Sequence, residues 1–334
     1  APLYGRATAL LHLAPLPLSA LGAFFPAYQI DERVAVYAML GGIPAYWERF
    51  DRSASLSDNI RTAILGGRAL LMDEPRLLLK DFLSEIHNYV GILRAIADGE
   101  HGHTAIARRV GLKDTHLSQF MKNLEATGYV ERRVSVTASP ASKLGRYHIT
   151  DPFLRFYFRF LSRRQPQLAQ GIRDSAVAEL RQHLVDFIGT HTWEELCRTW
   201  TLQATVRDRL PGPVDQVGSA WTRQVQIDVA ALNRDAHVLI LGECKWLHKP
   251  AEADVLTTLQ QKVEAILPGD GDWQVYFLGF SRQGWTPDAT RLARAWARKP
   301  IEGERWRSIG IRLLDLGDVD RDLTAWERPT RGHR

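Results

Sequence analysis

At 334 residues the chain is too long for one compact core, so two or three domains are expected. An apolar fraction of 45% and a charged fraction of 24% exclude a disordered or fibrous chain, and no apolar run approaches the roughly 18–20 residues of a membrane span. Two cysteines, Cys197 and Cys244, exclude a disulfide framework and a Cys-rich zinc site and fit a reducing compartment.

No basic region followed by an apolar stretch opens the chain, which points to the cytoplasm. The first residues, APLYGR, lack an initiator Met, as a fragment or processed form would. The net charge is +5, and its distribution matters more than its size. Between His101 and Thr150 there are eight Lys and Arg against three Asp and Glu, an excess equal to that of the whole chain. No Gly-x-x-x-x-Gly-Lys-Ser/Thr loop is present, so no phosphate cradle of that type is encoded.

Residues 1–80 read as mostly helical, with a strand at RATALLHL, short helices near Leu18–Phe25, Arg33–Leu40 and Pro44–Phe50, and a turn at GGIP. From 81 to 98, Phe82, Ile86, Tyr89, Val90, Leu93, Ile96 and Ala97 follow the spacing of an amphipathic helix, with Gly99 as its cap. Next come a short helix (Thr104–Val110), a turn at Gly111 and a longer helix (Asp114–Thr127), the punctuation of a helix-turn-helix. YVERRVSV and GRYHIT read as two strands around a basic loop, Thr137–Leu144, completing a winged helix-turn-helix.

If this unit docks on DNA, its second helix enters the major groove and exposes Thr115, His116, Ser118, Gln119 and Lys122. Arg132, Arg133, Lys143 and Arg146 would then contact phosphates, which position a protein without reading sequence. The competing reading is a packing or dimerisation module. The aromatic run DPFLRFYFRFLSRR places Phe153, Phe156, Tyr157 and Phe160 on one helical face, as core or interface residues. Ser162–Gln170 reads as a linker.

The last segment reads helix, three strands, helix, strand. The helix runs from Ala176 to Trp200, bent near Gly189. Strands follow at Val217–Thr222, Gln224–Ala231 and Ala236–Lys245, then a helix at Glu252–Leu267, the strand WQVYFLGF and another strand near Ile309–Leu314. Strand alternation puts Val225, Ile227 and Val229 on one face and Gln224, Gln226 and Asp228 on the other. It also places Leu239, Leu241, Glu243 and Lys245 on one face. A hairpin that brings Asp228 beside Glu243 joins two carboxylates and an ammonium. Adjacent carboxylates repel, and a hard divalent cation, Mg²⁺ or Mn²⁺, relieves the repulsion while accepting phosphate oxygens. Asp228 and Glu243 would hold the metal, Lys245 would act on water or phosphate, and Glu194 on the preceding helix would complete the set. Glu195 points nearly opposite, Lys262 or Gln260 could reach the site from the later helix, and Cys244 belongs to packing. A plain ion pair at a sheet end is the simpler alternative.

At Asp228 and Glu243-Cys244-Lys245 the chain resembles the PD-(D/E)XK nuclease superfamily, whose core is a helix, three strands, a helix and a strand. Ile227 stands where the family's usual Pro precedes the Asp. PLYGR, LGGIPAYWERFD, YHITDPFLRFYFRF, QIDVAALNRDAHVLILGECKW and VYFLGFSRQGWTPD together resemble the C-terminal part of archaeal and bacterial STAND-type AAA+ ATPases. That resemblance implies an ATPase lid remnant at 1–80 with no P-loop, a winged helix at 81–165 and a PD-(D/E)XK-like αβββαβ domain with a mixed sheet at 166–334. It implies a partner ATPase domain absent from this chain and no ATP hydrolysis by this chain, and in a complete protein Arg6 could face nucleotide. The function expected is a nucleic-acid-binding, Mg²⁺-dependent phosphodiesterase, with double-stranded DNA as partner and no membrane. The alternatives are a DNA-binding regulator with an inactive nuclease fold and a signalling or assembly module.

Overall fold

The computed structural model describes residues 13–66, 75, 85–139, 142, 144–269 and 271–327. Arg6, Lys143, all of the strand expected at 6–13 except Leu13, and the start of the helix expected from 81 lie outside these residues.

The chain folds as mixed α+β, with many helices, one five-stranded mixed sheet and one two-stranded sheet. Helix Ile30–Leu40 is fixed at its start by a capping box between Gln29 and Glu32 and buries Val34, Val36, Met39 and Leu40. The amphipathic segment forms helix Ile86–Ala97. Helices His103–Val110 and Asp114–Ala126 follow, joined where Gly111 takes a left-handed conformation (φ 73°) that a side chain would strain. Strands β1 (Val130–Arg133) and β2 (Arg146–Ile149) pair antiparallel, from Val130 opposite Ile149 to Arg133 opposite Arg146.

Here the fold departs from the sequence pattern. The alternation YVERRVSV predicts a strand reaching Val136, but pairing with β2 stops at Arg133. Beyond it the chain crosses to strand β3 (Gln216–Trp221), the edge of the large sheet. The Val136 amide donates to the Ser219 carbonyl at 3.0 Å, and the Trp221 amide donates to the Ser135 hydroxyl at 3.0 Å. Unpaired backbone groups on an edge strand seek partners, and this segment supplies them. Val136 is buried in one cluster with Ile227, Leu239 and Leu241. The segment that leads into the expected basic loop, Thr137–Leu144, is therefore anchored in the core beneath the large sheet.

That sheet runs in chain order: β3, β4 (Gln226–Asn233), β5 (Val238–Lys245), β6 (Trp273–Ser281) and β7 (Trp306–Asp315). The first three strands are antiparallel and the last three parallel. Helices Asp254–Gln261 and Pro287–Arg298 make the crossovers that parallel neighbours require. Neither Pro287–Arg298 nor the final helix, Leu316–Glu327, is evident in the sequence reading.

Both faces of the sheet are covered. On one, Val229, Ala231, Ile240, Leu278 and Phe280 join the cluster that holds Trp193, Cys197 and Trp200. On the other, Ala230, Leu232, Leu239, Leu241 and Phe277 meet Leu256, Leu259 and Trp296. The first cluster runs on through Phe153, Phe156, Tyr157 and Phe160 to Trp47 and Leu18, so the aromatic run is core, as its spacing predicts. The stretch read as a linker is instead structured. It forms helix Gln165–Ala169, buries Leu168 and ties Arg164 to Glu179 at 2.9 Å.

One irregularity positions the site. Along β3 and β4, Gly218 pairs with Ala230 but Ala220 pairs with Ile227. Asp228 and Val229 therefore both face Ser219, which is a β-bulge. The bulge breaks the expected alternation. Val225 and Ile227 pack in one cluster, and Val229 in the other.

Candidate active site

Asp228 occupies the bulge of β4, and Glu243 and Lys245 end β5 alongside it. A carboxylate oxygen of Asp228 accepts the Cys244 amide at 3.0 Å. Regular ladder pairing ends one step earlier, at Val229 opposite Gly242, so this bond replaces a backbone one. Gly242 permits the approach, because a Cβ there would lie 3.1 Å from the Val229 side chain and 3.2 Å from that of Leu278.

The Glu243 carboxylate is buried, 7% exposed, and each of its oxygens accepts an ammonium: Lys245 Nζ at 2.9 Å and Lys262 Nζ at 3.1 Å. Burial works against the Lys245 charge, and Glu243 more than offsets it, so its pKa is raised. Lys262 is thus the member that the helix after β5 contributes.

Glu194 begins helix Glu194–Val206, and Arg198 one turn on bonds it at 3.2 Å. The same Arg198 nitrogen donates to the Asp228 carbonyl at 3.0 Å and to the Ser219 hydroxyl at 3.0 Å. Ser219 donates to the Asp228 carbonyl at 2.9 Å. The carbonyl left out of the ladder by the bulge is thereby satisfied twice, and Glu194 is held at the bulge. Glu195 points away, to Arg133 and Arg155, each at 3.1 Å.

Electrostatics separate these acids. Burial, then the Asp228 charge, pushes Glu194 up to about 8, with Arg198 opposing. Burial, then Glu243, pushes Asp228 up to about 6, with the Cys244 amide opposing. Burial also works to raise Glu195, but Arg155 and Arg133 outweigh it and leave Glu195 at about 2. The Cys244 thiol meets that of buried Cys197, on the helix that carries Glu194, and burial first, with the Asp228 and Glu194 charges adding to it, raises its pKa.

On helix Asp114–Ala126, Thr115, His116, Ser118, Gln119 and Lys122 are all exposed. Ser118 also contacts His103 at 3.1 Å. Arg132 is exposed and donates to the Ser142 carbonyl. Arg133 is engaged by Glu131 and Glu195, and Arg146 donates to Gln226 at 2.6 Å while lying 4.6 Å over the Trp221 ring. Two of the expected phosphate contacts are therefore also ties of the two-stranded sheet, Arg146 to the large sheet and Arg133 to the helix that carries Glu194 and Glu195.

Sequence reasoning missed the bulge, Ser219 and Arg198. A polar Ser facing an isolated Asp, and an Arg one turn after Glu194, were the available signals.

A protein of Methanocaldococcus jannaschii described as uncharacterised is 32% identical over 245 residues, which are 73% of this chain and 55% of that protein. The chain thus spans about half of its relative's length. Among solved structures, an O-methyltransferase of neocarzinostatin biosynthesis aligns with 69% of this chain and 65% of its own, at 14% identity and a TM-score of 0.18, which carries no structural argument. Residues 157–262 match the DUF234 model, described as archaeal and bacterial proteins of unknown function. The matched segment, from within the aromatic run to Lys262, contains Glu194, Asp228, Glu243 and Lys245.

Proposed function

We propose that this chain is a metal-dependent phosphodiesterase acting on nucleic acid, with a PD-(D/E)XK-type site beside a winged helix-turn-helix. The observation that carries the reading is the meeting of Asp228, Glu243 and Lys245 at a bulge, with Glu194 held beside Asp228 through Arg198.

The residues fit a hard divalent ion. Asp228 and Glu194 are driven toward protonation by burial and by neighbouring carboxylates, which is a local shortage of positive charge. Among the described residues no three His, Cys, Asp or Glu form a ready cage. Mg²⁺ needs none, since it binds through one or two carboxylates and keeps several waters. Asp228 and Glu243 would hold it, and when bound it acidifies water and draws charge from a phosphate. Glu194 can keep or release a proton near neutral pH. Arg198 orients Glu194. Lys245, 31% exposed, sets a positive charge beside the place where phosphate charge would grow. In the STAND-type proteins that the chain resembles, an ATPase precedes these parts. We take its gating of the site to be part of the proposal.

Calorimetric titration with Mn²⁺ tests the reading. One ion should bind the wild type, and neither Asp228→Asn nor Glu243→Gln should retain it. A wild type that takes up no ion sinks the proposal.

A second reading has one specific observation in its favour: both Glu243 oxygens already accept an ammonium. A closed ion cluster of this kind suits a DNA-binding regulator on an inactive nuclease fold. It predicts salt-dependent duplex binding without cutting.

A further inference from the structure

We propose that a basic groove between the helix-turn-helix and the β3–β4 turn holds one strand of nucleic acid and leads its backbone to the Asp228 bulge. Its direction toward a cleavage site rests on the phosphodiesterase reading; its affinity for a strand does not.

The groove encloses about 730 Å³. Its walls come from two helices (His103, Ser118), from β1 and β2 (Arg132, Arg146), and from the distant hairpin of the large sheet (Trp221, Arg223). No Asp or Glu is among its lining residues. Arg223 is exposed at the β3–β4 turn, and neither it nor Arg132 forms an ion pair among the described residues. Guanidinium groups left without carboxylates along one channel suit a polyanion, since their fork matches phosphate oxygens.

The size selects the form of that polyanion. A B-DNA duplex is wider than its own major groove of about 12 Å, and a channel of this volume takes a few nucleotides of one strand instead. Strand channels elsewhere combine positive charge along the backbone with flat rings, and here Tyr147, half-buried in the lining, supplies a ring, while buried Trp221 backs the Arg146 guanidinium.

The groove also points somewhere. Arg146 bridges its floor to Gln226, two residues before Asp228. The Glu194 charge acts on the same guanidinium. A backbone lying along Arg132, Arg223 and Arg146 therefore arrives at the carboxylates. The docking of Ser135 and Val136 on β3 gives the groove two fixed walls.

The test is fluorescence anisotropy with a labelled 12-nucleotide oligothymidine in EDTA, so that binding is read without cutting. Wild type should bind with an affinity that falls with salt. Arg132→Glu and Arg223→Glu should each weaken binding by about tenfold and flatten the salt slope by about 0.7 for each phosphate no longer neutralised. Arg291→Glu, an equal charge change on helix Pro287–Arg298 and outside the groove lining, should stay within about twofold. Arg223→Gln, milder, should fall between if either reversal lowers the melting temperature. Unchanged binding in the Arg132 and Arg223 variants, no binding of the strand, or binding of duplex alone overturns the proposal. Strand binding that follows these variants without any cleavage leaves the groove standing and removes the phosphodiesterase. Cleavage with unchanged KM in Arg223→Glu does the reverse.

Discussion

The Cys244 amide and the Asp228 carboxylate meet at 3.0 Å, so an acid on one strand is held by the backbone between Glu243 and Lys245 on the next. This bond makes Asp228 answerable to the position of β5. It also does little to relieve the charge, since burial and Glu243 still raise Asp228 to about 6. A carboxyl whose folded pKa is raised contributes stability below its unfolded value, near 3.8, and loses it as pH rises through about 6. At pH 8 the metal-free Asp228→Asn protein should therefore melt higher than wild type, by on the order of 1–3 kcal/mol in stability. Cleavage by it should be lost. Thermal melts in EDTA and a cleavage assay on the same preparation check both outcomes, and a lower melting temperature would contradict the assignment of strain to this carboxylate.

The two lysines on Glu243 should not be equivalent. Lys245 is the more exposed, at 31% against 20% for Lys262. Lys245→Ala is expected to lower cleavage by about 100-fold or more, the loss usual for a charge that acts at the transition state. Lys262→Met should cost about tenfold, because Lys262 holds Glu243 from the side of the later helix. Single-turnover rates at saturating metal separate these effects from metal binding.

Glu195 is predicted to matter for stability. It is the carboxylate partner of Arg155, which is buried at 4% exposure, and of Arg133 at the end of β1. Removing one partner from such a set leaves a buried charge unpaired, at a cost of about 3–5 kcal/mol. Glu195→Gln should show this in urea melts. Val136→Ala opens space in the sheet core and should cost about 1–2 kcal/mol. Cleavage should fall in Val136→Ala as well, since Ser219 both receives the Val136 amide and caps the bulge.

Three histidines meet where the two-stranded sheet packs on the helix that carries Glu194. His101 stacks on His148 with ring centroids 4.5 Å apart, and His191 follows in the turn before Glu194. Burial lowers the pKa of all three, that of His191 to about 3. Arg133, Arg146 and Arg155 act in the same direction around them, against Glu195 and Glu100. Above about pH 6.5 these rings are neutral both folded and unfolded. Below it the unfolded chain takes protons that the folded one refuses, so stability is lost as pH falls from about 6.5. Well below that value His148 and His191, the two most strongly lowered, should together give a slope of about 3 kcal/mol per pH unit. Melting temperatures from pH 7.5 to 5.5 should drop steeply, and less steeply for His148→Gln. A flat profile would remove the cluster from the account.

Much of this was legible in the sequence, for definite reasons. Strand period two put Glu243 and Lys245 together, and helical period 3.6 separated Glu194 from Glu195. Gly111 and Gly128 marked the ends of the short helices, and both take positive φ. What was not legible depends on partners distant in the chain. The bulge at Asp228 exists because Ser219 stands opposite two residues, which no alternation pattern encodes. Val136 reads as a strand residue in either place, and only the open edge of β3 decides where it goes. Helix Pro287–Arg298 buries small Ala289 and Ala293 beside Trp296, a stripe too faint to stand out against its charges.

The most direct test is cleavage of labelled single- and double-stranded DNA and RNA by wild type, Asp228→Asn and Lys245→Ala, each with Mg²⁺, with Mn²⁺ and with EDTA. The account predicts cutting by wild type with a divalent ion, none in EDTA and none by either variant. Equal cutting by the variants, or no cutting of any substrate by wild type, would contradict it.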